Sequence, residues 1–477
     1  MTKDWLTRYD LQYPRSLIYM LQASEYNIRD YLRWLARTKD FAHVEKRKQL
    51  VKNKKTILLL VIAWIISLTL YILAIYILFT GTIPLKYIEF FAIILVAPYI
   101  VAYGIILPLT SIKFLIQKPI EYFIIKKAKQ ILVSHKGFKI AIAGSYGKTT
   151  MREILKTVLS EDKKVATPPG NHNTPLGIST FIKSLAGDED ILIFELGEYY
   201  PGDVKKLCTL VRPDLGIITG VNEAHLEKFK TIDKTARTIF ELADYLGDKP
   251  LYVNKENTTA SQYASPSHIL YSREKVGKWF VSDPTTDLTG TSFILKNNSE
   301  TLAVHSRLLG SHQIGPLAVA IDIAICTGMA HESTLRGIAH TKPCDHRLEP
   351  KIDSSGVITL DDSYNGNPDG VSAVIEFLSS LKDYHRLYVT PGLVEMGAQT
   401  ESIHKKIGHQ LASADIEKVV LIKNSVTPFI EQGLKESKYH GEIIWFKDAL
   451  TAFASLSQLT VPGDVVLLQN DWPDQYN

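Results

Sequence analysis

Gly144-Ser145-Tyr146-Gly147-Lys148-Thr149-Thr150 is the stretch that decides the fold. An apolar run, Lys139-Ile140-Ala141-Ile142-Ala143, precedes it, and a helix-like run, Met151 to Leu159, follows it. Strand, glycine loop, Lys-Thr and helix together form a holder for a nucleoside triphosphate. Glycines let backbone N–H groups approach phosphate oxygens, and a helix N-terminus favours negative charge there. In this reading Gly144, Ser145, Gly147 and Thr150 build the loop. Lys148 brings a point charge to the β- and γ-phosphates, and Thr149 offers its hydroxyl to Mg²⁺. Ile142 stands where the strict GxxxxGK[ST] pattern has its first glycine, so the strand–loop–helix context carries the reading.

Outward from this loop the chain alternates buried strands with helical stretches. Ile191-Leu-Ile-Phe194 and Leu215-Gly-Ile-Ile-Thr219 read as strands of a parallel sheet with helices on both faces. A second series begins near Pro343. Its strands are Val357–Leu360, Leu387–Thr390, Lys418–Ile422, Ile443–Phe446 and Val465–Leu468. The expected fold class is α/β: a P-loop-containing central parallel-sheet domain over 137–343, then a Rossmann-like C-terminal domain over 344–477.

The N-terminal third has a different character. Thr56 to Phe79 is an uncharged apolar run long enough to cross a bilayer. A second run, Tyr87 to Leu109, carries only Glu89 and contains Pro98. The span 56–110 reads as a transmembrane hairpin. Lys46, Arg47, Lys48, Lys52, Lys54 and Lys55 precede it, and Lys113, Lys118, Lys126, Lys127 and Lys129 follow it, while the link holds only Lys86. The positive-inside rule places both ends in the cytoplasm, as a two-pass anchor of the cell membrane with the catalytic part inside. Residues 1–55, rich in aromatic and basic side chains, read either as amphipathic helix at a membrane surface, as packing on the catalytic part, or as a small helical subdomain. Residues 111–136 read as an amphipathic juxtamembrane connector.

With 477 residues, 45% of them hydrophobic, the chain has room for two or three domains and is not a disordered protein. A net charge of +4 gives no ground for a nucleic-acid partner. Cys208, Cys326 and Cys344 are far apart and odd in number, which excludes a disulfide framework and a zinc spacing.

Four further groups of residues suggest chemistry. Pro169-Gly-Asn-His-Asn-Thr-Pro-Leu-Gly177 is dense in turn residues and amides. Glu195 ends a strand beside the phosphate loop, where a carboxylate suits Mg²⁺. Asn222-Glu-Ala-His-Leu226 puts His225 at the same sheet edge. Asp361-Asp-Ser-Tyr-Asn-Gly-Asn-Pro368 closes a strand of the second unit and faces a nucleotide lodged between the domains.

Taken together these residues resemble the Mur ligase family, ATP-dependent amide-forming enzymes of peptidoglycan precursor synthesis, and in pattern its D-alanyl-D-alanine-adding branch. The resemblance covers about 138–470. The family's GxxGKT[T] loop stands as Gly144–Thr150, GNxNN as Gly170–Thr174, E-L-G as Glu195–Gly197 and E-A-H-L-E as Glu223–Glu227. Its D-D-S-Y-N-A-N-P block stands as Asp361–Pro368 with Gly366 changed, and E-[LM]-G as Glu395–Gly397, followed by His404.

The resemblance implies that a substrate carboxylate attacks the γ-phosphate of ATP, and that an amine then displaces phosphate from the acyl phosphate. It implies Lys148, Glu195 and His225 as catalytic residues, with Thr149, Glu195 and His225 around Mg²⁺. It implies Gly144, Ser145, Gly147, Lys148, Thr149, Thr150, His312, Arg347 and Asp361 at ATP, with Asp361 near the ribose. Asn171, Asn173, Thr174, Tyr364, Asn365 and Asn367 fall at the substrates, a carboxylate compound and an amino acid or dipeptide amine.

Three positions depart from the family pattern. Ile239, in Ala236-Arg-Thr-Ile-Phe-Glu241, stands where the family carries a carbamate-modified lysine, which leaves Glu241, or water held by Glu195 and His225, to complete a second metal shell. Gln313 and Pro316 replace two asparagines near the adenine. The N-terminal domain that grips a UDP-linked precursor is expected to be missing, the hairpin occupying its place. The expected function is a membrane-anchored ATP-dependent ligase. A ligase for a lipid-linked or polymeric carboxylate, and a non-catalytic nucleotide-binding scaffold, are the alternatives.

Overall fold

The computed structural model describes residues 6–24, 26–45, 49–170, 172–223, 229–352, 354–364 and 366–471. They divide into two compact units, with the chain passing from one to the other between Phe123 and Ile124, inside the helix Lys118–Ser134.

In the first unit, Asn53 caps the helix Lys54–Thr80 through a reciprocal bond pair with Thr56. A second apolar helix, Leu85–Gly104, follows a short link and continues through Ile106–Ser111 and Ile112–Gln117 into Lys118–Ser134. The first helix has 27 residues, and the second, with its continuation, 50. At 1.5 Å per residue the first is about 40 Å long, enough for a hydrocarbon core of about 30 Å.

The N-terminal helices pack on this hairpin. Tyr13, Leu17, Leu21 and Tyr31 are buried with Leu59, Ala63, Val101 and Ile105. The Tyr13 hydroxyl donates to the Pro98 carbonyl at 3.1 Å, and the Tyr31 hydroxyl to that of Ala102 at 2.8 Å. Of the readings left open for residues 1–55, the small helical subdomain agrees with the burial of Tyr13, Tyr19 and Tyr31. The Tyr13 and Tyr31 rings bury apolar area while their hydroxyls find carbonyls.

The second unit holds two sheets. The first has strands β1 (Phe138–Ala143), β2 (Val165–Ala166), β3 (Ile191–Glu195), β4 (Leu215–Ile218), β5 (Leu251–Asn254), β6 (Ile269–Tyr271), β7 (Lys275–Val276), β8 (Trp279–Asp287), β9 (Gly290–Lys296) and β10 (Thr301–Ser306). Their order is β10-β9-β8-β7-β6-β5-β4-β1-β3-β2. β1 to β6 pair in parallel and β6 to β10 antiparallel. The parallel part is the expected one. The antiparallel extension was not legible: its strands alternate exposed and buried residues, as in β10, instead of forming continuous apolar runs.

The helices Lys148–Leu159 and Ile314–Cys326 cover one face of this sheet. Pro175–Ile182, Asp203–Val211 and Ile232–Leu246 cover the other, with Ala128 and Leu132.

The second sheet has strands β11 (Glu349–Ile352), β12 (Ile358–Asp362), β13 (Arg386–Thr390), β14 (Lys418–Ile422), β15 (Glu442–Phe446) and β16 (Val465–Gln469), in the order β11-β12-β16-β13-β14-β15. All pairs are parallel except β11 with β12. Five of these strands match those read from sequence within two residues.

Candidate active site

The phosphate loop joins β1 to the helix Lys148–Leu159. Gly147 is the helix N-cap with φ +74°, a conformation that costs a side-chain-bearing residue. At Gly144, with φ +143°, an added Cβ would lie 2.2 Å from Thr219 Oγ1. The loop is therefore pressed against the end of β4. Ser145 N–H donates to Gly220 O at 2.9 Å, and Thr219 Oγ1 donates to Tyr146 O.

Parallel register sets the first carboxylate. Ile142 of β1 pairs with Glu195 of β3, so Glu195 ends its strand beside the loop. Thr149 Oγ1 donates to Glu195 Oε2 at 3.2 Å. Arg152 Nη1 is 2.9 Å from Glu195 Oε1, which is buried and makes no hydrogen bond. Burial pushes the Glu195 carboxyl above the usual range, against the pull of Arg152, Lys148 and Thr149. A buried hydroxyl–carboxylate pair of oxygen donors, one carboxylate oxygen lacking a hydrogen bond, fits Mg²⁺.

Lys148 Nζ lies 2.9 Å from both carboxylate oxygens of Glu198 and donates to Gly144 O. Glu198 was not among the residues singled out from sequence. Its signal was its place three residues beyond Glu195, in the irregular segment that leaves the same strand.

The loop opens on a cleft of about 690 Å³ between the two sheets. Gly147 and Thr150 line it from below, Asn254, Tyr271, Arg273 and His312 from one side, and Arg347, Asp362, Tyr364 and Asn367 from the other. His312 Nδ1 is buried without a partner, and Nε2 is 2.8 Å from the Gln313 amide nitrogen. Burial pushes the His312 imidazole down to about 4, so it is neutral at pH 7. The Arg347 guanidinium lies 5.2 Å from the Tyr364 ring centroid.

The cleft is bridged. Arg273 Nη1 is 2.6 Å from Glu376 Oε1, and Asn222 Nδ2 donates to Asn367 Oδ1 and Asp369 Oδ2 at 2.9 Å each. Arg273, Glu376 and Asp369 carried no motif and were missed.

Several expected site residues are engaged elsewhere. Asp361 is not on the cleft wall. It accepts from Lys351 Nζ at 2.7 Å and from the Ser363 hydroxyl at 2.7 Å, and meets His346 Nδ1 at 2.7 Å. Burial raises its pKa, but these bonds prevail and hold it at about 2. Its neighbour Asp362 faces the cleft instead, and burial pushes that carboxyl up to about 6.

Thr174 caps the helix Pro175–Ile182 through Gly177 N–H, and the Asn173 carbonyl accepts from Gly197 N–H at 2.9 Å. Asn367 also caps the helix Pro368–Ser380. His404 Nε2 accepts from Leu393 N–H at 2.9 Å, a structural bond. Asn171, His225 and Asn365 lie outside the described residues.

Ile239 is fully buried in the core beneath the sheet. Glu241, one of the two candidates to complete a second metal shell, accepts from Gly202 N–H at 2.7 Å and Lys205 N–H at 2.8 Å, at the N-terminus of the helix Asp203–Val211.

Residues 142–324 match the Mur ligase middle domain, and residues 346–469 match the Mur ligase, glutamate ligase domain. The chain belongs to the Mur ligase family. Mur ligases are ATP- and Mg²⁺-dependent amide-forming enzymes, and this one is MurF-like. It is 24% identical over 340 residues to the UDP-N-acetylmuramoyl-tripeptide--D-alanyl-D-alanine ligase of Bacillus subtilis, covering 69% of this chain and 72% of that one. It is 26% identical over 293 residues to the Escherichia coli protein of the same name, covering 59% and 64%. In fold it is similar to MurF ligase from Thermotoga maritima in complex with ADP, with a TM-score of 0.65, 22% identity and coverage of 74% and 80%.

Proposed function

We propose that this Mur ligase joins the carboxylate of a peptide-bearing cell-wall precursor to a D-alanyl-D-alanine amine at the membrane surface. The observation that carries the reading is the cleft, which Gly147 and Thr150 of the phosphate loop line together with His312 and Arg347. A substrate carboxylate oxygen attacks the γ-phosphorus, the bond to ADP breaks, and an acyl phosphate forms. The amine nitrogen then attacks the acyl carbon, phosphate leaves and the amine gives up a proton. Little of this needs a protein nucleophile; positioning and charge neutralisation carry it.

In this reading Lys148 and the amides of Gly144, Ser145 and Gly147 hold the β- and γ-phosphates. Thr149 and Glu195 hold Mg²⁺, with His225 assigned by resemblance. Mg²⁺ neutralises charge on the transferring phosphoryl group. His312 and Arg347 border the base and the phosphates. Asp362 replaces Asp361 as the carboxylate facing the nucleotide. Asn173, Tyr364 and Asn367 border the substrates.

The helices Lys54–Thr80 and Leu85–Gly104 are read as a two-pass anchor of the cell membrane, the catalytic unit facing the cytoplasm. The apolar length and the lysine distribution support this. Such an anchor favours a second reading of the substrate, a lipid-linked or polymeric carboxylate.

The test is mass spectrometry of products from protein in detergent with ATP, Mg²⁺, D-alanyl-D-alanine and either a UDP-linked or a lipid-linked muropeptide. ADP release that requires both carboxylate and amine is expected. Turnover indifferent to the amine would point to the scaffold.

A further inference from the structure

Four charged side chains, three of them buried and Lys148 partly so, meet beside the phosphate loop. Lys148 is bound by Glu198, and Arg152 by Glu195. Glu198 is 3% exposed, Glu195 4% and Arg152 6%. Two cations face these two anions, and the partly exposed Glu153 adds a third carboxylate on Arg152, so no positive charge is in excess here. Both carboxylates come from one strand end: Glu195 closes β3, and Glu198 follows in the irregular segment beyond it.

The arrival of a polyphosphate breaks this balance. The Lys148 ammonium, now held by Glu198 and Gly144 O, is drawn to phosphate oxygens. Glu198 is then a carboxylate shielded from water with its partner gone. A buried charge stripped of its partner is strongly unfavourable. Among the described residues the neighbouring cation, Arg152, is already engaged by Glu195, by Glu153 at 2.6 Å and by the Gly170 carbonyl at 2.6 Å. A divalent cation arriving with the nucleotide would meet the deficit. Oxygen donors already stand beside Lys148: the Thr149 hydroxyl is the next residue, and it touches Glu195, whose buried Oε1 has the Arg152 guanidinium at 2.9 Å and no hydrogen bond. Hard divalent cations take such carboxylate and hydroxyl sets.

We propose that Glu198 is a ligand of the Mg²⁺ that accompanies the nucleotide, and that Lys148 occupies its carboxylate until the nucleotide arrives. The exchange joins nucleotide entry to metal binding: Lys148 leaves Glu198 for the phosphates as the cation replaces it. The inference rests on the reading of Gly144–Thr150 as the phosphate site.

The two parts predict opposite signs in one variant. Removing the charge with Glu198→Gln frees Lys148, so metal-free ADP should bind as well as before or more tightly. Removing a ligand should weaken Mn²⁺ binding to the protein–ADP complex at least about tenfold. The experiment is calorimetry of ADP without metal, then Mn²⁺ titration of the ADP complex followed by electron paramagnetic resonance, on the full chain in detergent. If Glu198→Gln fails to fold, Glu198→Asp carries the test. It keeps the charge but draws the carboxylate back, and should weaken Mn²⁺ while leaving metal-free ADP near the wild-type value. Unchanged Mn²⁺ affinity would overturn the proposal and leave Glu198 as a latch on Lys148 alone. Parallel loss of metal-free ADP and Mn²⁺ binding would also overturn it, as general damage to the loop. Failure of the wild-type protein to bind ADP at all sinks the phosphate-site reading beneath it, which is a different result from an unchanged Mn²⁺ titration.

Discussion

Asn222 and Asp369 meet across the cleft, the Asn222 side-chain amide donating to Asp369 Oδ2 at 2.9 Å. Asn222 follows β4 of the first sheet, and Asp369 lies in the first turn of the helix Pro368–Ser380 of the second. The same amide reaches Asn367 Oδ1. One side chain thus ties the phosphate-loop side of the cleft to the other wall. Asn222→Ala leaves Asp369 short of a donor in a buried setting, at about 1–3 kcal/mol. We expect a looser cleft: a larger radius of gyration by small-angle scattering in the ADP complex, and kcat/KM for ATP lowered about tenfold.

Lys148→Ala should lower activity at least about a hundredfold, because on the proposed reading it removes the charge that faces the transferring phosphoryl group. The structure adds a stability consequence. The variant strands Glu198, 3% exposed, without its cation. Breaking such a buried pair costs on the order of 3–5 kcal/mol. Lys148→Ala should therefore melt well below wild type, and Lys148→Ala with Glu198→Gln should recover most of the loss without recovering activity. Equal melting of the single variant and wild type would show that the pair is not buried in solution.

His312 gives a pH dependence with a definite sign. Its imidazole is buried against Glu376 and Arg273, and burial lowers it from 6.5 to about 4. As pH falls, the unfolded chain takes up the proton before the folded one. The His312 contribution is therefore complete above about pH 6.5 and is lost as pH falls through about 4, on the order of 3 kcal/mol in all. Denaturant melts without nucleotide should lose stability more steeply below pH 6.5 in wild type than in His312→Gln. Parallel pH profiles would contradict the burial.

Ile239 and Glu241 make a joint prediction. Ile239 is in the core and offers no amine for carbamate formation, so activity should not respond to bicarbonate or to removal of CO₂. Glu241 is spent on Gly202 and Lys205 N–H groups. Glu241→Ala should lower stability by about 1 kcal/mol, as for a lost helix cap. It should leave the Mn²⁺ titration of the ADP complex unmoved. A shift in that titration would return Glu241 to the metal.

The hairpin is tested by labelling. In a background without Cys208, Cys326 and Cys344, a cysteine at Gly81 should react with an impermeant reagent from outside the cell. Cysteines at Lys52 and Lys129 should react only after permeabilisation. External labelling at Lys129 would invert the assigned orientation.

What the sequence determined by itself was local. The run from Lys139 to Leu159 dictated strand, loop and helix, because apolar alternation, glycines and Lys-Thr each act within a few residues of where they stand. Parallel strands of continuous apolar residues were legible for the same reason, and so was the placing of Glu195 at a strand end. The apolar runs fixed two long helices.

Tertiary structure decided what depends on facing. Asp361 and Asp362 are adjacent in one strand, and successive side chains point to opposite faces. Only the packing of β12 between β11 and β16 says that Asp362 turns to the cleft while Asp361 meets Lys351 and His346. The Arg273–Glu376 bridge joins residues about a hundred positions apart, and no local pattern announces it. Glu198 is the clearest case. Its residue type and position were visible, but its role follows from burial beside Lys148, and burial belongs to the assembled sheet and loop, because only the packed chain excludes water from both charges.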